Sequence, residues 1–261
     1  MKVDLDKFYT KPEIAEKCVN LIADLETYDE IIEPSAGNGS FSDLIKNIKA
    51  FDIAPEKENI VKQDFFELSN LTGNHLLFVG NPPFGQRSIL AKNFIQHAII
   101  LGAETIAFIL PNTFSKLTMQ KVFPENWALI LVEDLGRDAF EIDGETYHVP
   151  CSFYIWTQRA SKINLRKKKL PQPSEFQFLP RESQNADFVL NGNSGKIKPL
   201  SAVTNSKAEH YVKVCDEKNI IAIKQKLENL DYGFNSSVNG GVAWISQQEI
   251  LEAWYANHKS S

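Results

Sequence analysis

The sequence predicts an α/β fold. A mostly parallel sheet with helices on both faces is expected across residues 1–160, followed by a small α+β region across residues 161–261. Three observations carry this. Short apolar segments alternate with segments whose apolar residues recur at helical spacing, the pattern of strands buried on both faces. A glycine-rich turn, Gly37-Asn38-Gly39, sits between the first such strand and the next helical segment. Past residue 160 the alternation stops, and a basic stretch containing prolines begins.

Taken in order, "PEIAEKCVNLIADL" puts Ile14, Cys18, Leu21, Ile22 and Leu25 at helical spacing. "DEIIEP" reads as a short strand. "SFSDLIKNI" reads as a helix with Phe41, Leu44, Ile45 and Ile48 on one face, and "KAFDIA" and "HLLFVG" as the next strands. "ILAKNFIQHAIILG" is a strong helix stopped by Gly102, and "TIAFILP" is a further strand. "ALILVEDL" and "CSFYIWTQ" are two more, separated by "GRDAFEIDGETYHVP" with a tight turn at Asp143-Gly144. Beyond residue 160, "RKKKLPQPSEFQFLPRES" reads as a linker. "ADFVLNGNSGKI" holds an Asn-Gly turn between short strands, and "HYVKV" is a strand. "EKNIIAIKQKLENL" is a helix and "NSSVNGG" a loop. "SQQEILEAWYA" is a final helix with Ser246 and Glu249 in capping-box spacing.

Composition suits an intracellular protein, with 43% apolar and 23% charged residues. The amino-terminal segment is charged and lacks the apolar core of a secretory signal, and no apolar run approaches a membrane span. A cytoplasmic location and no membrane partner are therefore expected. Cys18, Cys151 and Cys215 lie far apart, with neither zinc-type pairs nor a disulfide framework, and no metal site is expected. The five histidines, His75, His97, His148, His210 and His258, are scattered with no obvious acid partner. Net charge is −5, but it is unevenly spread: residues 1–160 carry 14 basic against 23 acidic side chains, and residues 161–261 carry 14 against 10. Within the second part, "SKINLRKKKLPQP" gathers five basic residues without an acid, which suits either a solvated linker or contact with a polyanion.

Ligands of open α/β sheets bind at the carboxyl ends of the strands. The loops "PSAGNG", "DIAP", "NPPFG" and "PNTF" should therefore be neighbours. Gly37 and Gly39 permit a tight turn and close approach of a ligand, but the third glycine of the dinucleotide pattern is missing, which favours a ligand without phosphates. Asp52 ends the second strand, where a carboxylate can accept both hydroxyls of a ribose or simply serve a turn. Asp64 can accept from an adenine amino group or be a surface acid. Phe65 can cover the ring, or one of Phe65 and Phe66 can be core. "NPPF" at residues 81–84 can be a stiff strand ending or a set of fixed acceptors beside a stacking ring.

"FYTKPEIAEKCV", "EPSAGNGSF", "FDIAP", "QDFF" and "NPPF", in that order, resemble the class I S-adenosylmethionine-dependent amino-methyltransferases. The closest kind is the DNA adenine-N6 methyltransferases with the γ order of motifs, as found in restriction-modification, over roughly residues 8–160. The resemblance implies a Rossmann-like sheet of seven strands, the last antiparallel. It implies that Phe8, Tyr9 and Thr10 approach the methionine end of S-adenosylmethionine. Glu33 and Gly37 would line that end, Asp52 would hold the ribose, Asp64 and Phe65 the adenine, and Pro34, Ser35, Ala36, Ile53 and Asn81 would also belong to the cofactor site. Asn81 and the Pro82 carbonyl would accept the two N–H groups of the target amine, Pro83 would stiffen the loop, and Phe84 would stack on the base. Phe140 would be a second aromatic wall. Lys167, Lys168 and Lys169 would meet the phosphate backbone of DNA. Bacterial or viral origin fits such an enzyme.

RNA is the alternative polymer, since "NPPFG" also occurs in RNA adenine methyltransferases. A protein glutamine amide and an inactive cofactor-binding partner subunit are further alternatives. "EPSAGNG" and the basic run favour DNA. A second region of about 100 residues is short for recognition, and a short target, weak specificity, a homodimer or a partner subunit would each account for it.

Overall fold

The computed structural model describes residues 8–259 apart from 70, 143, 205 and 233–243. The chain divides into two compact units, Met1–Lys167 and Lys168–Ser261.

The first unit contains β1 (Tyr9–Thr10), α1 (Pro12–Asn20), β2 (Glu30–Glu33), β3 (Lys49–Asp52), β4 (Val61–Lys62) and β5 (Leu76–Gly80). It continues with α2 (Ile89–Ile100), β6 (Ala103–Pro111), α3 (Leu117–Gln120), β7 (Ala128–Asp134), β8 (Phe140–Ile142), β9 (Glu145–Tyr147) and β10 (Cys151–Thr157). Seven strands form one sheet in the order β4-β3-β2-β5-β6-β10-β7. The pairs from β4 to β6 are parallel, while β10 runs antiparallel to both β6 and β7. This is the seven-stranded sheet with a reversed last strand that the resemblance implies. Burial explains why its strands are legible as apolar runs: every residue of β5 and β10 is buried, whereas β7, at the sheet edge, is only partly covered.

Chain order reverses at β2, which pairs with β3 on one side and β5 on the other. Such a switch point opens a crevice at the carboxyl ends of the strands, here Glu33 of β2 and Gly80 of β5. A separate three-stranded sheet, β1-β8-β9, ties the amino-terminal segment to the hairpin between β7 and β10. In that hairpin Ile142 pairs with Glu145, and Asp143 of the expected turn lies outside the described residues.

Two expectations need correction. The segment 40–48 is a run of turns and not a helix. A few local bonds form, such as Asp43 N–H to the Gly39 carbonyl at 3.0 Å. Ser40 competes for hydrogen bonds, its Oγ reaching the Thr10 carbonyl and Asn38 Oδ1. The stretch 166–183 is likewise not all linker, because it contains strand β11 (Phe176–Leu179) with Phe176 and Phe178 buried on one face.

The second unit continues with β12 (Phe188–Asn191), β13 (Ile197–Lys198), β14 (Glu209–Val214), α4 (Ile220–Glu228) and α5 (Gln247–Lys259). Its antiparallel sheet has the order β11-β14-β12-β13. Phe176, Phe188, Leu190, Val212, Leu227, Ile250 and Trp254 form its core. The capping box at α5 is made: Ser246 N–H donates to Glu249 Oε2 at 2.8 Å, and Glu249 N–H to Ser246 Oγ at 3.4 Å. The expected loop "NSSVNGG" lies outside the described residues.

Candidate active site

The site is assembled from the loops that follow β2, β3 and β5. After β2 the chain turns at Gly37, with φ of +52°, a backbone conformation costly for a side-chain-bearing residue. A Cβ at Gly37 would also meet the Tyr9 ring at 3.4 Å. The turn is pinned to the next strand. Gly37 N–H donates to Asp52 Oδ2 at 2.8 Å, and Ala36 N–H to the Phe51 carbonyl at 2.9 Å. The other oxygen of Asp52 accepts from Ala54 N–H at 2.8 Å. Asp64 Oδ1 accepts from Phe66 N–H at 2.9 Å and so caps the 3₁₀ turn Phe65–Glu67.

β5 delivers the third loop. Gly80 has φ of +141°, and a Cβ there would lie 3.2 Å from Glu33 Cγ, so the absence of a side chain lets the two strand ends approach. Asn81 follows. Its carbonyl accepts from Ser35 Oγ at 3.3 Å, and its Nδ2 donates to the Phe8 carbonyl at 3.1 Å. Its Oδ1 is buried and has no hydrogen-bond partner among the described residues. Glu33 Oε2 is in the same condition. Burial pushes the Glu33 carboxyl up to about 8. Polar groups of Ser42 and Phe41 oppose this, and the negative charge of Asp52 adds to it.

These residues line a cavity of about 550 Å³, within the size range of small-molecule sites. Phe8, Tyr9, Thr10, Glu33, Pro34, Ser35, Ala36, Gly37, Asp52, Ile53, Asp64, Phe65, Asn81, Pro82, Pro83 and Phe84 all contribute. Phe65 is both wall and core, stacked on Phe94 at 5.0 Å, while Phe66 beside it is exposed.

Phe140 lies elsewhere than the resemblance implies. Phe140 is fully buried and does not line the cavity. Pairing of β8 with β1 turns it inward, where it backs Phe84 and Phe8, each at 6.3 Å between ring centroids. Phe114, in the loop that follows β6, is likewise buried, against Tyr154. The backbone N–H of Lys167 donates to Gln120 Oε1 at 2.8 Å, and Lys168 and Lys169 are exposed. Two histidines do meet acids at the surface: His75 Nδ1 lies 2.7 Å from Glu104 Oε2, and His148 Nδ1 lies 2.6 Å from Asp138 Oδ1.

Sequence reasoning missed Leu90 and Phe94, which complete the apolar wall from α2. Their spacing of four places them on one helix face, a signal that reads equally well as core. Among the described residues no cluster of His, Cys, Asp or Glu could hold a metal ion, and no helix is long and apolar enough to cross a membrane.

A family model described as the EDM2 methyltransferase-like domain matches residues 25–170. The chain belongs to that family. The match covers the switch-point crevice, the glycine turn and the Asn81 loop, and the chain is a methyltransferase. Among solved structures, the chain is similar to a candidate RNA methyltransferase from Pyrococcus horikoshii, with TM-score 0.46 and 15% identity over 60% of this chain and 89% of that one. It is also similar to the N-methyltransferase NodS from Bradyrhizobium japonicum, with TM-score 0.38 and 12% identity over 56% and 94% of the two chains. A third is Trm5 from Methanocaldococcus jannaschii, in complex with adenosine, with TM-score 0.37 and 18% identity over 60% and 52%. No curated protein matches the chain.

Proposed function

We propose that the chain transfers a methyl group from S-adenosylmethionine to the exocyclic N6 amine of adenine in DNA. The observation that carries this reading is the unpartnered, buried Oδ1 of Asn81 in the cavity wall. A buried acceptor left without a donor costs free energy unless a ligand completes it.

The cavity suits the cofactor. Glu33 Oε2 is a second buried acceptor, appropriate to an ammonium group, and Asp52 stands at the strand end where a ribose diol binds. Ile53, Asp64, Phe65 and Phe66 supply apolar surface and one acid for a base. When bound, the cofactor supplies a methyl group activated by the neighbouring sulfonium charge.

The chain's own residues have the remaining tasks. An adenine amine has two N–H donors and a lone pair delocalised into the ring. Asn81 Oδ1 and the Pro82 carbonyl accept those donors, which favours a pyramidal nitrogen with its lone pair freed. Two consecutive prolines fix φ and keep the acceptors in place. Phe84 holds the ring plane. The main contribution of the site is alignment. The methylated nitrogen is acidic and loses its proton to water, so no strong base is required. In duplex DNA the base must first leave the stack. The glycine turn "EPSAGNG" and the exposed Lys168 and Lys169 support DNA as the polymer.

The test is incubation with tritiated cofactor and, separately, duplex DNA, single-stranded DNA, RNA and protein extract, followed by digestion and identification of the labelled product. N6-methyladenine from DNA is expected. Label in RNA alone moves the substrate to RNA without moving the amine chemistry, and label in methylcytosine or protein alone overturns the base assignment. Asn81→Ala is expected to keep cofactor binding and lose transfer by about 100-fold or more.

A further inference from the structure

An asparagine side chain can be turned either way, and only one orientation presents its oxygen to an incoming amine. The Phe8 carbonyl makes the choice. It can only accept, so the 3.1 Å bond from Asn81 Nδ2 leaves Oδ1 as the free end. What holds Phe8 therefore determines what Asn81 can do.

Phe8 precedes β1, which belongs to neither main sheet. β1 pairs with β8 through Tyr9 to Glu141 and Thr10 to Phe140. Lys11 N–H donates to the Ala139 carbonyl at 3.1 Å, and Lys11 Nζ to Thr146 Oγ1 at 3.0 Å. The Phe8 ring is stacked on Tyr147, with centroids 4.5 Å apart and planes 19° from parallel. Tyr147 is 43% exposed and lies outside the cavity wall. All three residues of β9 are exposed, so this strand contributes little to a core, and its ring is placed against the segment that orients Asn81.

We infer that Tyr147 is a positioning residue. It clamps Phe8, the Phe8 carbonyl fixes the Asn81 amide, and Asn81 Oδ1 is thereby presented to the amine. This rests on the reading of Asn81 given above. The β8–β9 hairpin thus acts at a distance on the transfer step, without touching substrate or cofactor.

The experiment compares Tyr147→Ala and Tyr147→Phe with the parent chain by two readouts. The first is hydrogen exchange of the Asn81 side-chain amide by NMR, its resonances assigned by their loss in Asn81→Ala. This needs neither cofactor nor activity. Protection is expected in the parent and in Tyr147→Phe, and a loss of about tenfold or more in Tyr147→Ala. The second is kinetic: kcat should fall about tenfold or more in Tyr147→Ala with KM for the cofactor unchanged, and Tyr147→Phe should restore it. If Tyr147→Ala loses the cross-strand contacts of the hairpin, Tyr147→Leu keeps a strand-compatible side chain without the stacked ring and takes its place. Unchanged amide protection in the ring-less variant overturns the inference, as does equal loss of kcat in Tyr147→Phe. A parent chain that methylates no amine overturns the proposed function instead, while the amide signal still decides whether Tyr147 orients Asn81.

Discussion

The backbone N–H of Gly37 donates to Asp52 Oδ2 at 2.8 Å, which joins the turn after β2 to the end of β3. The carboxylate that faces the cavity is thus also a structural tie, since its other oxygen accepts from Ala54 N–H. Asp52→Ala should weaken cofactor binding by at least about tenfold and lower stability by about 1–3 kcal/mol, because two backbone donors lose their partner. Titration calorimetry and thermal denaturation measure the two effects. Lost stability with unchanged affinity would confine Asp52 to the turn.

Glu33 gives a pH prediction. Its carboxyl stays protonated in the folded chain up to about 8, against an ordinary value of 4.5. Between those values the folded chain retains a proton that the unfolded chain has released. The contribution of Glu33 to stability is therefore fully present below 4.5 and is lost as pH rises towards about 8. Glu33→Gln, of the same shape and without the titration, should melt at a progressively higher temperature than the parent as pH rises from about 5 to about 9. Parallel melting curves across that range would contradict the burial argument. The same variant should bind the cofactor more weakly.

Phe140 and Phe84 should differ in their effect on transfer. Phe140 is fully buried behind Phe84, so Phe140→Ala should cost about 3–5 kcal/mol, read from denaturant unfolding. Phe84 is buried too, so Phe84→Ala should also cost stability, but it should in addition lower transfer while leaving cofactor affinity within about threefold, because its ring is assigned to the substrate. A Phe84→Ala chain with normal transfer would remove the stacking role.

Arg166 belongs to the basic run, yet its guanidinium is committed elsewhere. It donates to the carbonyls of Phe123 at 2.7 Å, Trp127 at 3.2 Å and Gln120 at 3.4 Å, and also to that of Pro124. Arg166→Ala should destabilise the chain by about 2–3 kcal/mol, since several carbonyls lose a charged donor. Lys168→Ala with Lys169→Ala should leave melting unchanged and weaken nucleic-acid binding in a salt-dependent way. Binding lost through Arg166 without loss of stability would reverse this division.

Most of the sheet was legible because β5, β6 and β10 are buried on both faces and so are written as apolar runs. The cavity wall was legible because its residues end or directly follow strands, as with Asp52 at the end of β3 and Asn81 after β5. Segment 40–48 forms turns that the helical spacing of Phe41, Leu44, Ile45 and Ile48 does not reveal, because Ser40 bonds outside the segment. β11 was missed because its alternation, Phe176 and Phe178, spans only four residues between prolines.

By itself, the sequence determined the α/β class, the crevice at the strand ends and the residue types around it, since periodicity and turn chemistry are local properties of the chain. Tertiary structure alone decided which side-chain atoms are free to act. Asn81 and Phe8 are 73 positions apart, and the bond that leaves Asn81 Oδ1 open exists only once β1 has paired with β8. The same holds for Phe140 and Arg166. One became backing for a wall and the other a cap on carbonyls, because packing and hydrogen bonds between distant segments assigned them before any ligand could.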